Sequence, residues 1–212
     1  MRLLIGGTPT GTLRHISIAD YRAHCGMLVT WRDRAHPRRA IKLGVPWAMD
    51  NFAFTGFKAD AFRRSMDAYE GLPGCLFAVA PDVVGDARAT LDQFAQWRDE
   101  IKGHGYPIAL AIQNGQEKLL VPWSDIDAVF IGGDTAFKFS DYVRGLVAEA
   151  RMRGKWTHMG RVNSVRRWNY AHSLHMNSVD GTSLVIARSN IHYALPVAKN
   201  KQRSLWEGAW SF

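Results

Sequence analysis

Four short apolar runs each end in a polar residue and a turn: WAMDNFAF at Asp50, FAVAPDVVGD at Asp82, ALAIQNG at Gln113, and VFIGGD at Gly132, Gly133 and Asp134. A further carboxylate, Asp180, closes the weaker run NSVDG. Carboxylates in such places can act as proton carriers or as nucleophiles, and a single carboxylate can accept two hydrogen bonds side by side. A polar group ending one buried strand carries little information. Several in succession describe a pocket, because the C-terminal strand ends of a parallel α/β barrel converge on one face.

The elements that must position these groups are visible as alternation. MRLLIGG, GMLVTW, PWAMDN, CLFAVAPD, IALAIQ, AVFIGGD and WTHMG read as strands, with NSVDG or SLVIAR as a weaker last one. Amphipathic stretches separate several of them. In KADAFRRSMDAYEG, Phe62, Met66 and Tyr69 share a face and Gly71 is a stop. In DARATLDQFAQWRDEIKGHG, Asp86 is a natural N-cap, Leu91, Phe94 and Ile101 form a stripe, and Gly103 ends the helix. In SDYVRGLVAEARMRG, Ser140 or Asp141 caps a helix whose Val143, Leu146, Val147 and Ala150 face inward. Strand–helix alternation implies parallel strands with helical crossovers. The expected fold is α/β, a compact single-domain (β/α)8 TIM-like barrel over residues 1–212, with 193–212 as a C-terminal extension. An open doubly wound sheet is the alternative. GGTPTG near the start lacks the Gly-Lys-Ser/Thr ending of a phosphate loop and does not match GxGxxG.

The chain of 212 residues, 47% hydrophobic and 22% charged, is long enough for a full core. No apolar run approaches the roughly 18–20 residues that cross a bilayer, and Gly6 and Gly7 interrupt the first apolar stretch, so a cytoplasmic protein is expected. Cys25 and Cys75, the only cysteines, read as buried thiols rather than a disulfide framework or zinc knuckle. The net charge of +8 is concentrated. Arg32, Arg34, Arg38, Arg39 and Lys42 crowd one segment, Arg151, Arg153, Lys155, Arg161, Arg166 and Arg167 another, and Lys199, Lys201 and Arg203 the tail. With Trp31, Trp156, Trp168 and Trp206 interleaved, these clusters point to nucleic acid, which pairs backbone charge with aromatic stacking.

Each candidate also has a plain structural reading. Asp50 and Asp82 fit helix or turn caps, as does Asp86. Gln113 could satisfy a loop backbone, Met159 could be core packing, and Asp180 could belong to an Asp-Gly turn before Gly181. Asp134 is a second carboxylate available for proton chemistry. His158, His172, His175 and His192 show no metal-ligand spacing and read as surface or core residues.

Taken in order, these residues resemble the tRNA-guanine transglycosylase family, whose members exchange guanine for a 7-deazaguanine. The resemblance runs from about Trp47 to Arg188 through short motifs. It implies Asp180 as the nucleophile and Asp50 as general acid/base. It also implies a base site of Phe54 and Met159 on the two ring faces, Asp82 on the guanine donor edge, Gln113 on the O6 or N7 edge, and Gly132 and Gly133 in backbone contact. The chemistry agrees with the residue types. Breaking an N-glycosidic bond builds positive charge on the sugar, a carboxylate beneath the anomeric carbon can trap it, and two displacements preserve configuration.

The sequence departs from that family in three places. Asn51, Phe52 and Ala53 replace a Ser-Gly-Gly, Val83 and Val84 stand near a family cysteine, and the cysteines of the family's zinc site are absent. A compact, basic, zinc-free chain resembles the DNA-guanine transglycosylases of bacteriophages and bacterial DNA-modification clusters. The resemblance therefore implies DNA and a free 7-deazaguanine base such as preQ0 as partners, no metal, no other cofactor, and base flipping, with a homodimer as in relatives. Arg161, Arg166, Arg167 and Trp168 are expected to hold phosphates or wedge the stack. A tRNA acceptor, a hydrolytic N-glycosylase and a non-catalytic nucleic-acid-binding barrel are the competing expectations.

Overall fold

The computed structural model describes residues 1–6, 23–31, 36–42 and 44–181. Eight parallel strands follow one another around a closed ring: β1 (Arg2–Gly6), β2 (Cys25–Val29), β3 (Trp47–Met49), β4 (Cys75–Val79), β5 (Ile108–Ile112), β6 (Ala128–Ile131), β7 (Trp156–Met159) and β8 (Ser178–Asp180). Pairing of Leu3 with Val179 and of Leu4 with Asp180 joins β8 to β1, so the sheet is a barrel and not the open doubly wound alternative. SLVIAR, the tail 193–212, GGTPTG, Arg32, Arg34 and His192 lie outside the described residues.

Side chains alternate across the barrel wall, as the pleat requires. Leu4, Leu28, Ala48, Phe77, Val79, Ala109, Ala111 and Ala128 fill the interior with Phe130 and Trp156. The intervening residues, among them Leu3, Ile5, Met27, Trp47, Met49, Ile108, Leu110, Val129 and Ile131, pack outward against the helices. Small alanines on β3, β5 and β6 leave interior room for the large rings on β4, β6 and β7. A methyl group at Gly26 would meet Leu4 Cδ2 at 2.6 Å, so glycine there keeps the β1 side chain in the interior.

The outer layer follows the amphipathic pattern. Helix α1 covers His36–Lys42. Helix α2 (Ala59–Tyr69) buries Phe62, Met66 and Tyr69, and α3 (Ala87–Gly103) buries Thr90, Phe94, Trp97 and Ile101 after Asp86 accepts from the Ala89 amide at 3.0 Å. After β6 come a short helix α4 (Thr135–Lys138) and α5 (Asp141–Met152), which Ser140 caps at the Val143 amide and which buries Val143, Leu146, Val147 and Ala150. Helix α6 (Val165–Ser173) is capped by Ser164. Between β5 and β6 there is only a 3-10 turn, Gln116–Lys118. The helix missing there is one reason the barrel is short. Val121, Trp123 and Tyr142 pack against the core on that flank, with Tyr142 Oη donating to the Gln116 carbonyl at 3.2 Å.

Of the two cysteines, Cys25 is buried and Cys75 half-buried, and burial pushes both thiols up to about 12, which keeps them unreactive. Among the described residues no helix is long and apolar enough to cross a membrane.

Candidate active site at the barrel mouth

The parity of each strand decides what reaches the mouth. On β3, Ala48 faces the interior and Met49 faces out, so Asp50 turns back toward the axis. The same count brings Gln113, Gly132, Gly160 and Asp180 to the axial side of β5, β6, β7 and β8. Asp50 is therefore held at the rim, its amide bonded to the Val29 carbonyl at 2.8 Å and its Oδ1 accepting from the Phe52 amide at 3.2 Å. Burial pushes the Asp50 carboxyl up to about 7, and the neighbouring charges of Asp180 and Asp82 push the same way against the amide hydrogen bonds. A carboxyl poised near neutrality, with other carboxylates close enough to feel it, is suited to accepting and returning a proton.

Asp82 sits in a frame of amides. Asn51 Nδ2 donates to its Oδ1 at 2.7 Å and Gln113 Nε2 to its Oδ2 at 2.6 Å. Desolvation raises its carboxyl, and these two hydrogen bonds oppose the rise. Asn51 also donates to the Ala80 carbonyl and accepts from the Ala53 amide, both at 2.7 Å, so it clamps the β3 loop to the end of β4. Within that loop Phe52 has φ 64°, a left-handed conformation that a bulky residue rarely adopts, and its ring meets Trp31 edge-on at 5.8 Å.

Gln113 ties three strand ends together. Its Oε1 accepts from the Gly85 amide at 3.0 Å and the Gly133 amide at 2.8 Å. The Gly132 amide is committed to the Ile112 carbonyl at 2.9 Å. Both glycines are sterically required: a methyl at Gly132 would meet Gln113 Nε2 at 2.6 Å, and one at Gly133, where φ is +71°, would meet Phe137 and Asn114 Oδ1. Gln113 is thus a loop-satisfying residue as well as a rim residue. Gly133 supports it through its amide, Gly132 by leaving room for its side chain, and neither amide has a hydrogen left for a ligand. Asp134 caps α4 at the Phe137 amide and exchanges hydrogen bonds with Asn114; these contacts hold its carboxyl below the ordinary value and account for it structurally.

Asp180 ends β8 with its side chain largely buried. Its Oδ1 accepts from His158 Nε2 at 2.9 Å and from the Arg161 amide at 3.2 Å. Among the described residues no group hydrogen-bonds Oδ2. The Arg161 guanidinium lies 4.0 Å from the centroid of the exposed Phe54 ring, bridging the β7 and β3 loops across the rim. Arg167 Nη1 donates to the Arg161 carbonyl at 3.0 Å, and Arg166 stacks over Phe139 at 4.8 Å.

Two expectations do not survive strand parity and helix packing. Met159 is 1% exposed and belongs to the core between sheet and helices; His158 faces the barrel interior, so its neighbour on β7 must face out and cannot cover a base in the mouth. Trp168 is 4% exposed on the inward face of α6, packed into the same core, and is unavailable to wedge a base stack. The arginines on either side of it are the accessible part of that segment.

Lys138 and Ser178 have no part in the sequence reading, and His158 has only that of a surface or core residue. Lys138 is buried, donates from Nζ to the Gly160 carbonyl at 2.6 Å, and is pulled down to about 8 by burial, with the Asp180 charge working in the opposite direction. His158 and Ser178 are buried polar residues at interior positions of β7 and β8. A polar residue at an interior position of a strand was the available signal, in WTHM and in NSVDG.

No family profile matches this chain, and no curated protein does. Among solved structures, one described as "Native KDPGal structure" is similar at a TM-score of 0.54 and 16% identity, over 94% of this chain and 93% of that one. That likeness shows the barrel fold. Another, "PaMucR Phosphodiesterase, c-di-GMP complex", aligns at a TM-score of 0.43 and 14% identity over 73% of this chain, which spans 64% of that one, less than two thirds of its length.

Proposed function

We propose that this protein is a base-exchange transglycosylase that replaces guanine in DNA by a 7-deazaguanine base through a covalent aspartyl-glycosyl intermediate. The observation that carries the reading is the meeting of Asp50 and Asp180, 130 positions apart in the chain, at one barrel mouth where the charge of Asp180 reaches the Asp50 carboxyl. In the first displacement an Asp180 oxygen attacks the anomeric carbon, the bond from that carbon to guanine N9 breaks, and its electron pair leaves with the base, which takes a proton from Asp50. In the second, the corresponding ring nitrogen of the incoming base gives its proton to Asp50 and attacks the same carbon. The aspartyl ester bond breaks and its electron pair returns to Asp180. Two inversions give retention.

Local geometry adds support. Phe52, which stands where the family that the sequence resembles has a glycine, adopts the left-handed backbone that glycine favours, and this supports the reading. The exposed Phe54 ring has one face covered by the Arg161 guanidinium, stacked over it at 4.0 Å, and offers the other face to a base. Asp82 retains lone pairs beyond its two amide partners. Arg161, Arg166 and Arg167 border the same rim and suit phosphates.

Incubation of duplex and single-stranded DNA with labelled preQ0 tests the reading, with tRNA offered in parallel. Label in DNA is the expected result. Label in tRNA alone transfers the chemistry to the other polymer, abasic sites without label indicate a hydrolase, and no change in either polymer overturns the proposal.

A further inference from the structure

The interior of β7 and β8 contains a polar chain that the proposed reaction has not yet used. His158 is fully buried, its imidazole 4.6 Å from the Phe130 ring and 5.4 Å from the Phe77 ring. Its Nδ1 lies 2.8 Å from Ser178 Oγ and its Nε2 2.9 Å from Asp180 Oδ1. Ser178 Oγ in turn accepts from Trp156 Nε1 at 2.8 Å.

The direction of this chain is fixed by its first member. Indole Nε1 can only donate, so the serine oxygen is an acceptor there and has its own hydrogen to place. The remaining partner within reach is His158 Nδ1: with that nitrogen unprotonated every hydrogen of the chain has an acceptor, whereas a proton there would leave the Ser178 hydroxyl hydrogen with none among the described residues. The proton of the imidazole is left on Nε2, facing the carboxylate. In an interior lined by Phe77, Phe130 and alanines, such a wired histidine is more specific than core filling, because each of its two nitrogens has one assigned partner.

We propose that His158, locked as the Nε2–H tautomer by Ser178 and Trp156, is the positioning residue of Asp180: it ties down Oδ1 and makes Oδ2 the oxygen that bonds to the anomeric carbon. The Arg161 amide reinforces the same oxygen, and Gly160, where a methyl would come 3.4 Å from Oδ1 and 2.7 Å from Phe130, keeps the approach clear. The catalytic half of this inference rests on the proposed base exchange. During the first displacement Oδ2 forms the ester bond and Oδ1 becomes its carbonyl oxygen, still holding both donors. During the second, the ester bond breaks and the returning negative charge is shared onto an oxygen that already has two hydrogen bonds. The wiring therefore favours departure of the carboxylate, the step on which turnover depends.

Two measurements decide it. The nitrogen NMR spectrum of histidine-labelled protein reads the tautomer of His158 directly: Nε2–H in the wild type and a loss of that preference in Ser178→Ala support the wiring, and an Nδ1–H tautomer overturns it. In the exchange assay His158→Phe is expected to lower kcat about 10- to 100-fold with the KM for the free base unchanged, and His158→Gln, which restores a donor toward Oδ1, to recover most of the loss. A His158→Phe or His158→Gln protein that is folded and as active as the wild type with Phe, or as impaired with Gln as with Phe, overturns the positioning role. If His158→Phe does not fold, the Gln variant and the tautomer decide alone. A wild-type protein that exchanges no base refutes the proposed function instead, and the spectrum then judges the wiring by itself.

Discussion

Asp50 and Asp180 stand at the ends of β3 and β8, and the charge of Asp180 is the second largest influence, after burial, that raises the Asp50 carboxyl to about 7. Burial and a neighbouring carboxylate together favour the protonated form of Asp50, the form that the proposed exchange needs as its acid.

Asp180→Asn keeps the shape of the site and removes its charge. Base exchange is expected to fall by at least about 10³-fold, while the DNA dissociation constant changes by less than about threefold. Single-turnover labelling and fluorescence anisotropy measure the two. Loss of DNA binding with retained exchange would contradict the assignment.

The proton on Asp50 sets a pH limit and a stability trade-off. Donation to departing guanine needs the protonated form, so the rate of guanine release should decline as pH rises through about 7. Between the ordinary value of 3.8 and about 7 the folded protein keeps a proton that the unfolded chain has released, so stability falls as pH rises across that window. Asp50→Asn should abolish exchange yet stabilise the protein by about 2–4 kcal/mol at pH 8, with little effect at pH 3.5. Urea midpoints that coincide with wild type at pH 8 would count against a desolvated carboxyl.

Gly132→Ala forces a methyl to 2.6 Å from Gln113 Nε2, inside the clamp that joins β4, β5 and β6. The expected result is a loss of about 1–3 kcal/mol and weaker binding of free base, since Asp82 loses a partner. Thermal melts and base titration measure both.

Met159→Leu separates core packing from base stacking. A volume-conserving swap in the core should cost less than about 1.5 kcal/mol and leave the KM for the base within twofold of the wild type, as a calorimetric melt and exchange kinetics will report. Phe54→Ala, at an exposed rim ring, should raise that KM by about tenfold.

Replacing Arg166 or Arg167 with Ala should reduce the slope of log affinity against log salt by about one per phosphate contact removed. An unchanged slope would move the phosphate track elsewhere on the surface.

The barrel was legible because β3 to β6 are apolar runs with a polar terminus, and because Asp86 and Ser140 cap their helices as residues of those types do. The rim residues Asp50, Asp82, Gln113 and Asp180 were legible for the same reason. Orientation was not. Met159 looked available until the packing of Phe77, Phe130 and His158 fixed which face of β7 is the interior. Trp168 lay among arginines that masked the inward stripe of α6, a helix absent from the sequence reading along with α1 and α4. Lys138 and His158 find their partners about twenty residues away on neighbouring strands and loops, a relationship that only the closed ring creates.

The absence of a helix between β5 and β6 leaves one seam of the cylinder sheathed by Val121, Trp123, Tyr142 and a single turn where its neighbours have full armour. Deuterium should penetrate there first. Gln113 stands beside that seam and joins three strand ends, so a ligand that braces its clamp would tighten the hoop where the sheath is thin.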